Sequence, residues 1–136
     1  KWFQKLWEEQ VDWLEQRLKK STAEWQVAVT HFPPFHGLDT WKRLSEVYGI
    51  DLIVTGHIHN QRVYYNGDDN ALKPTAYIIS GGGGGITCEG MPDKDGNDDE
   101  YGFMDLTLSA HEIKIEAISH GGQLRSTTKV KRRERL

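Results

Sequence analysis

Two short β-branched runs, each leading straight into histidine, constrain this chain more than any other feature. Residues 26–30 (QVAVT) run into His31, and residues 51–55 (DLIVT) run through Gly56 into His57-Ile58-His59. Apolar runs of this length between turn residues read as buried strands. Between them, Asp39 is placed to cap a helix over residues 40–48, with Trp41, Leu44 and Tyr48 on one face and Gly49 at its C-terminal turn. The order strand, helix, strand predicts an α/β fold with the two strands parallel. In such sheets functional groups gather at the carboxyl ends of strands, so all three histidines are expected at one cluster of sheet tips.

The flanking sequence fits that frame. Over residues 2–20, Phe3, Leu6, Trp7, Val11, Leu14 and Leu18 recur at three- and four-residue steps, the period of an amphipathic helix. Residues 61–130 read as mostly β. Strands are expected at 61–65, with a turn at Asn66-Gly67, at 75–80, at 102–108, around Ile113, Ile115 and Ala117, and near 124–130. The chain has 136 residues and a net charge of -3, which argues against a surface built for nucleic acid. One cysteine, Cys88, rules out an intrachain disulfide and a Cys-rich zinc site. No apolar run approaches the length of a membrane span, about 18 residues.

Neutral imidazole is a good ligand for zinc, iron and manganese-type centres. A lone strand-end histidine is ordinarily a hydrogen-bonded structural residue, and a lone His-X-His arises by chance. The combination, after two strands of one type and in fixed order, points to a metal site at His31, His57 and His59. Gly56 is expected to turn the backbone sharply, so that His57 and His59 point at two different ions.

The segments QVDWLEQRL, WQVAVTHFPPF, YGIDLIVTGHIHNQRVYY, YIISGGGGG and EYGFMDLTL carry a specific resemblance. Over residues 7–128 the chain resembles the second half of a calcineurin-like metallophosphoesterase of the purple acid phosphatase-like branch. The resemblance implies the C-terminal half of a four-layer αββα sandwich with mixed strands, residues 1–136 forming one half-domain. It implies two metal ions, iron paired with zinc, manganese or a second iron. His31 and His57 would ligate one ion and His59 the other, with Pro33 shaping the loop after His31. His36, in that same loop, is the candidate for substrate contact in catalysis, while His111 and His120 read as structural or surface residues. The implied reaction is hydrolysis of phosphate monoesters, extending to diesters, by a metal-activated hydroxide. The resemblance also leans toward a secreted or vesicular location.

The family's Asp-X-His, Gly-Asp and Gly-Asn-His motifs are expected ahead of Trp2. Gly67-Asp68-Asp69 and Gly96-Asn97-Asp98-Asp99 look superficially like two of them, but they follow the histidines and read as acidic loops. The stretch from Asp93 to Asn97 hints at a calcium loop but lacks glycine at the required sixth position, and reads as solvated. Gly81 to Gly85 reads as a tight turn under the histidine loops, and the basic stretch 129–135 as a solvated terminus. Three neutral imidazoles leave two cations about 3.5–4 Å apart without the carboxylates that offset their repulsion. The chain alone is therefore expected to be inactive. Its expected partner is the missing N-terminal half or a covering chain. The alternative is a non-catalytic structural or interaction subunit that keeps the fold.

Overall fold

The computed structural model describes residues 1–83, Lys94 and residues 101–134. The elements run α1 (Trp2–Lys20), β1 (Val27–Val29), α2 (Leu38–Tyr48), β2 (Leu52–Thr55), β3 (Gln61–Tyr64), β4 (Ala76–Ser80), β5 (Gly102–Leu108), β6 (Glu112–Ser119) and β7 (Leu124–Lys131). The first four strands form one sheet in the order β1-β2-β4-β3. β1, β2 and β4 are parallel, and β3 returns antiparallel to β4. β5, β6 and β7 form a separate antiparallel sheet.

Alternation along the strands sorts side chains into two cores. Ala28, Ile53 and Tyr77 face the helices and pack with Trp41, Leu44, Ile50 and Leu72. Leu52, Ala76 and Ile78 face the other way and pack with Ile113, Ile115 and Val130 of the second sheet. The fold is thus helices, mixed sheet, antiparallel sheet. No helix covers the outer face of the second sheet among the described residues. None of the helices is long and apolar enough to cross a membrane.

Several local expectations change. The cap of α2 is Gly37, in the left-handed region at φ 103°, and its carbonyl accepts the Trp41 N–H at 3.1 Å. Asp39 sits in the first turn, where its charge suits the positive end of the helix dipole. Asn66-Gly67 opens a longer loop instead of a two-residue hairpin. Buried Asn70 organises that loop, donating to Tyr65 O at 2.6 Å and Thr75 O at 2.9 Å and accepting from Leu72 N at 2.9 Å. The helix α1 has no buried residue. Leu14 and Leu18 pack on the core, while Trp2, Phe3, Leu6, Trp7 and Trp13 stay exposed.

The basic stretch is not a solvated tail. Lys129 and Lys131 lie in β7, and Lys129 pairs with Glu112 at 3.1 Å. Arg133 donates to Ser45 O at 2.7 Å and Thr75 Oγ1 at 2.6 Å, and its backbone N–H donates to Asp51 Oδ1 at 2.7 Å. The other Asp51 oxygen accepts the Gln26 N–H at 2.7 Å. A fully buried carboxylate thus ties the start of β1 to the chain that leaves β7. The calcium-like stretch Asp93 to Asn97, apart from Lys94, lies outside the described residues, as do Gly84, Gly85, Cys88 and Gly96-Asn97-Asp98-Asp99.

Replacing Asp51 with alanine leaves one buried and one half-buried N–H group without their acceptor, and should lower stability by about 2–4 kcal/mol in urea unfolding. Lys73→Ala, which breaks the exposed 2.8 Å pair with Asp68, should change it by less than about 0.5 kcal/mol. A pH series tests the docking of α1. Hydrogen bonds from Arg43, then Tyr48, hold the Glu15 carboxyl below its ordinary value. That contribution is fully present above the ordinary carboxylate range and is lost as pH falls through the lowered value. Glu15→Gln should remove this acid-side loss.

Candidate metal centre

Hydrogen bonds of the parallel sheet bring the first two histidines together. Thr30 N–H donates to Val54 O at 3.0 Å, and Gly56 N–H donates to His31 O at 3.0 Å, so the chain just past β1 is clamped to the end of β2. His31 Nε2 and His57 Nδ1 then lie 3.3 Å apart. As a neutral pair, one nitrogen donates to the other. The spacing also suits a shared cation, since two nitrogens on one tetrahedral zinc, each about 2.0–2.1 Å away, are about 3.3 Å apart. These two residues fit one ion on distance and donor chemistry.

The turn that aims them differs from the sequence expectation. A Cβ on Gly56 would meet nothing closer than 3.9 Å, so the glycine is not required there for space. The left-handed residue is His57 itself, at φ 65°. A non-glycine side chain rarely takes this conformation, and such strain concentrates at functional sites. Support comes from below. Gly81, at the end of β4, donates its N–H to Asn60 O at 2.9 Å, and a Cβ there would sit 1.7 Å from Ile58 O. Only glycine lets β4 pass this close beneath the histidine turn.

His59 follows two residues after His57 and is exposed. Among the described residues no group of three His, Cys, Asp or Glu side chains is arranged to hold a metal. His36 does reach the pair. Its ring centroid is 5.5 Å from that of His57, and its N–H donates to Pro33 O at 3.0 Å across a loop whose two prolines are buried. Phe32 touches all three rings, at 4.9 Å from His31, 5.2 Å from His36 and 4.6 Å from His57. Sequence reasoning gave Phe32 no role, because a phenylalanine in a loop carries no ligand signal. His111 and His120 are exposed, in the connections that follow β5 and β6.

Comparison with known proteins bears on the fold. A family model described as calcineurin-like phosphoesterase matches residues 2–61, the stretch that holds all four of these histidines. No curated protein matches the chain. Among solved structures, a purple acid phosphatase from yellow lupin (Lupinus luteus) seeds superposes at TM-score 0.68 with 21% identity, over 91% of this chain and 28% of that one. GAP50 of Plasmodium, described as the anchor in the inner membrane complex, gives TM-score 0.69 with 19% identity, over 97% and 45%. Vacuolar Protein Sorting 29 from Cryptosporidium parvum gives 0.50 with 14% identity, over 82% and 55%. The fold is metallophosphoesterase-like, and the chain spans little more than half, or less, of each of these structures.

Two substitutions probe the turn. His57→Ala and His57→Gly both delete the imidazole, but the glycine variant should be more stable by about 1–2 kcal/mol, because only alanine is strained at a left-handed position. Gly81→Ala touches no imidazole. It should still weaken zinc binding by about 10–100-fold in a chelator competition, by pushing the turn off its support.

Proposed function

We propose that this chain, metallophosphoesterase-like in fold, contributes part of a dinuclear metal centre that hydrolyses phosphate monoesters and, by extension, diesters. The 3.3 Å approach of His31 Nε2 to His57 Nδ1, at the carboxyl ends of adjacent parallel strands, carries this reading. The family-model match over the same stretch supports it.

In this reading His31 and His57 hold one ion and His59 presents its ring to a second across the turn. When bound, the ions, iron with zinc, manganese or a second iron, supply a hydrolytic nucleophile and positive charge for the phosphoryl oxygens. His36 stands beside the pair and donates a ring N–H to the leaving ester oxygen. Phe32 keeps water from the side of the pair that it covers. The carboxylates that balance two cations come from a covering segment beyond residues 1–136, in the same polypeptide or in another chain.

The surface offers that segment a place. Among the described residues β1 is the terminal strand of its sheet. Gln26 and Thr30 bond to the β2 side, so Val27 and Val29 turn their backbone groups outward. The two residues are 40% and 79% exposed. Beside them Trp7, Val11, Trp13 and Leu14 of α1 border a groove of about 230 Å³. An unpaired apolar edge of this kind is ordinarily covered. The likeness to GAP50 also supports a second reading, in which the same fold serves as an anchoring or interaction subunit without turnover.

Hydrolysis of para-nitrophenyl phosphate by the full-length protein separates the two readings. The enzyme reading expects His57→Ala and His59→Ala each to abolish turnover. His36→Ala should slow it by about 10²–10⁴-fold, the usual range for general acid catalysis. Residues 1–136 alone should be inactive and bind metal weakly. Two tightly bound ions per isolated chain would contradict the need for outside carboxylates, and a full-length protein that is metal-loaded but inert would favour the anchor.

A further inference from the structure

Beside the imidazoles lies a cavity of about 270 Å³ lined by Trp7, Thr30, Phe32, His36, Gly37 and Trp41. We propose that it receives a planar aromatic group of the substrate, so that the favoured esters are aryl or aromatic-bearing phosphates. The inference rests on the hydrolytic reading of the His31–His57 pair.

Position comes first. Phe32 is in ring contact with His31, His36 and His57 and also forms a wall of the cavity. A phosphate held at the imidazole pair therefore has this concavity one ring away, within reach of its ester group. His36, the proposed partner of the leaving oxygen, lines the same space. The oxygen and the group attached to it would then both meet this side of the site.

Chemistry selects the occupant. Four of the six lining residues carry flat rings, and none is a lysine, arginine or carboxylate. Such a wall offers no lysine or arginine to pair with a second phosphate and few groups to bond with sugar hydroxyls, while ring faces favour stacked or edge-on aromatic partners. Size allows one ring, since an apolar cavity of about 150 Å³ already admits benzene. Phe32 keeps 48% of its surface exposed next to three polar rings, which a bound aromatic group would cover.

The backbone allows α1 to supply one wall of the cavity. Gly37 stands in the left-handed region, and a Cβ there would meet Trp7 Cζ2 at 3.3 Å. The glycine therefore lets the indole approach the loop that carries Phe32 and His36. This gives exposed Trp7 a role that its weak packing on the core does not.

The test is a comparison of phenylphosphonate with methylphosphonate on the zinc-loaded full-length protein, followed by tryptophan fluorescence and calorimetry. Neither probe is hydrolysed, so the readout does not depend on turnover. Phenylphosphonate should bind about tenfold or more tightly than methylphosphonate, with a fluorescence change that Trp7→Phe reduces. Phe32→Leu, which keeps apolar bulk, and Phe32→Ala should both narrow the difference to under twofold. Equal affinities in the unaltered protein would overturn the aromatic subsite and leave the hydrolytic reading standing. Failure of both phosphonates to bind a protein that does hold zinc would overturn both.

Discussion

The pairing of β1 with β2 is the constraint on which the rest depends. Three parallel pairs, Val27 with Leu52, Ala28 with Ile53 and Val29 with Val54, set the register. The Gly56 N–H to His31 O bond extends it past the last pair. A slip of one residue would exchange the two faces of β1, sending Ala28 out of the helix-side core and His31 away from His57. The helices and the second sheet stabilise this pairing from either side, through two cores that share only the central sheet. Asp51 fixes the far end, where its buried carboxylate joins Gln26 to Arg133.

The parts of this fold that were legible in sequence are those set by local pattern. The 19-residue helix α1 has the bounds its periodicity predicts, and the runs QVAVT and DLIVT are adjacent parallel strands. Both histidine-bearing turns therefore lie where strand ends should put them. What was not legible depends on contacts distant in sequence. Whether Asp39 or Gly37 caps α2 is decided by the path of the loop after Pro34, which packs Gly37 against Trp7. The left-handed residue falls on His57 and not on Gly56, in a turn under which the chain leaving β4 passes at Gly81, 24 residues after His57. Arg133 looks like one more charge in a basic run, yet its partners are Ser45 in α2 and Asp51 and Thr75, which stand just ahead of β2 and β4.

The same physics explains the apolar surface. Along the apolar stripe of helix α1, Leu14 and Leu18 pack against the helix-side core. The remainder, with Val27 and Val29 on the open edge, forms the surface on which the proposed covering segment would sit. The His31–His57 pair and this open edge meet at the tip of β1. Completing the sheet and completing the charge balance at the histidines would then be one structural event, which ties metal affinity to assembly.

The central claim is that two particular ring nitrogens converge on one ion. Nitrogen-15 NMR of the histidine side chains during zinc addition, at concentrations high enough for weak binding, tests it directly. His31 Nε2 and His57 Nδ1 should shift together at the same zinc concentration, while His111 and His120 stay unmoved. Response of only one ring, or of His31 Nδ1 and His57 Nε2 in their place, would contradict a shared site at the strand tips.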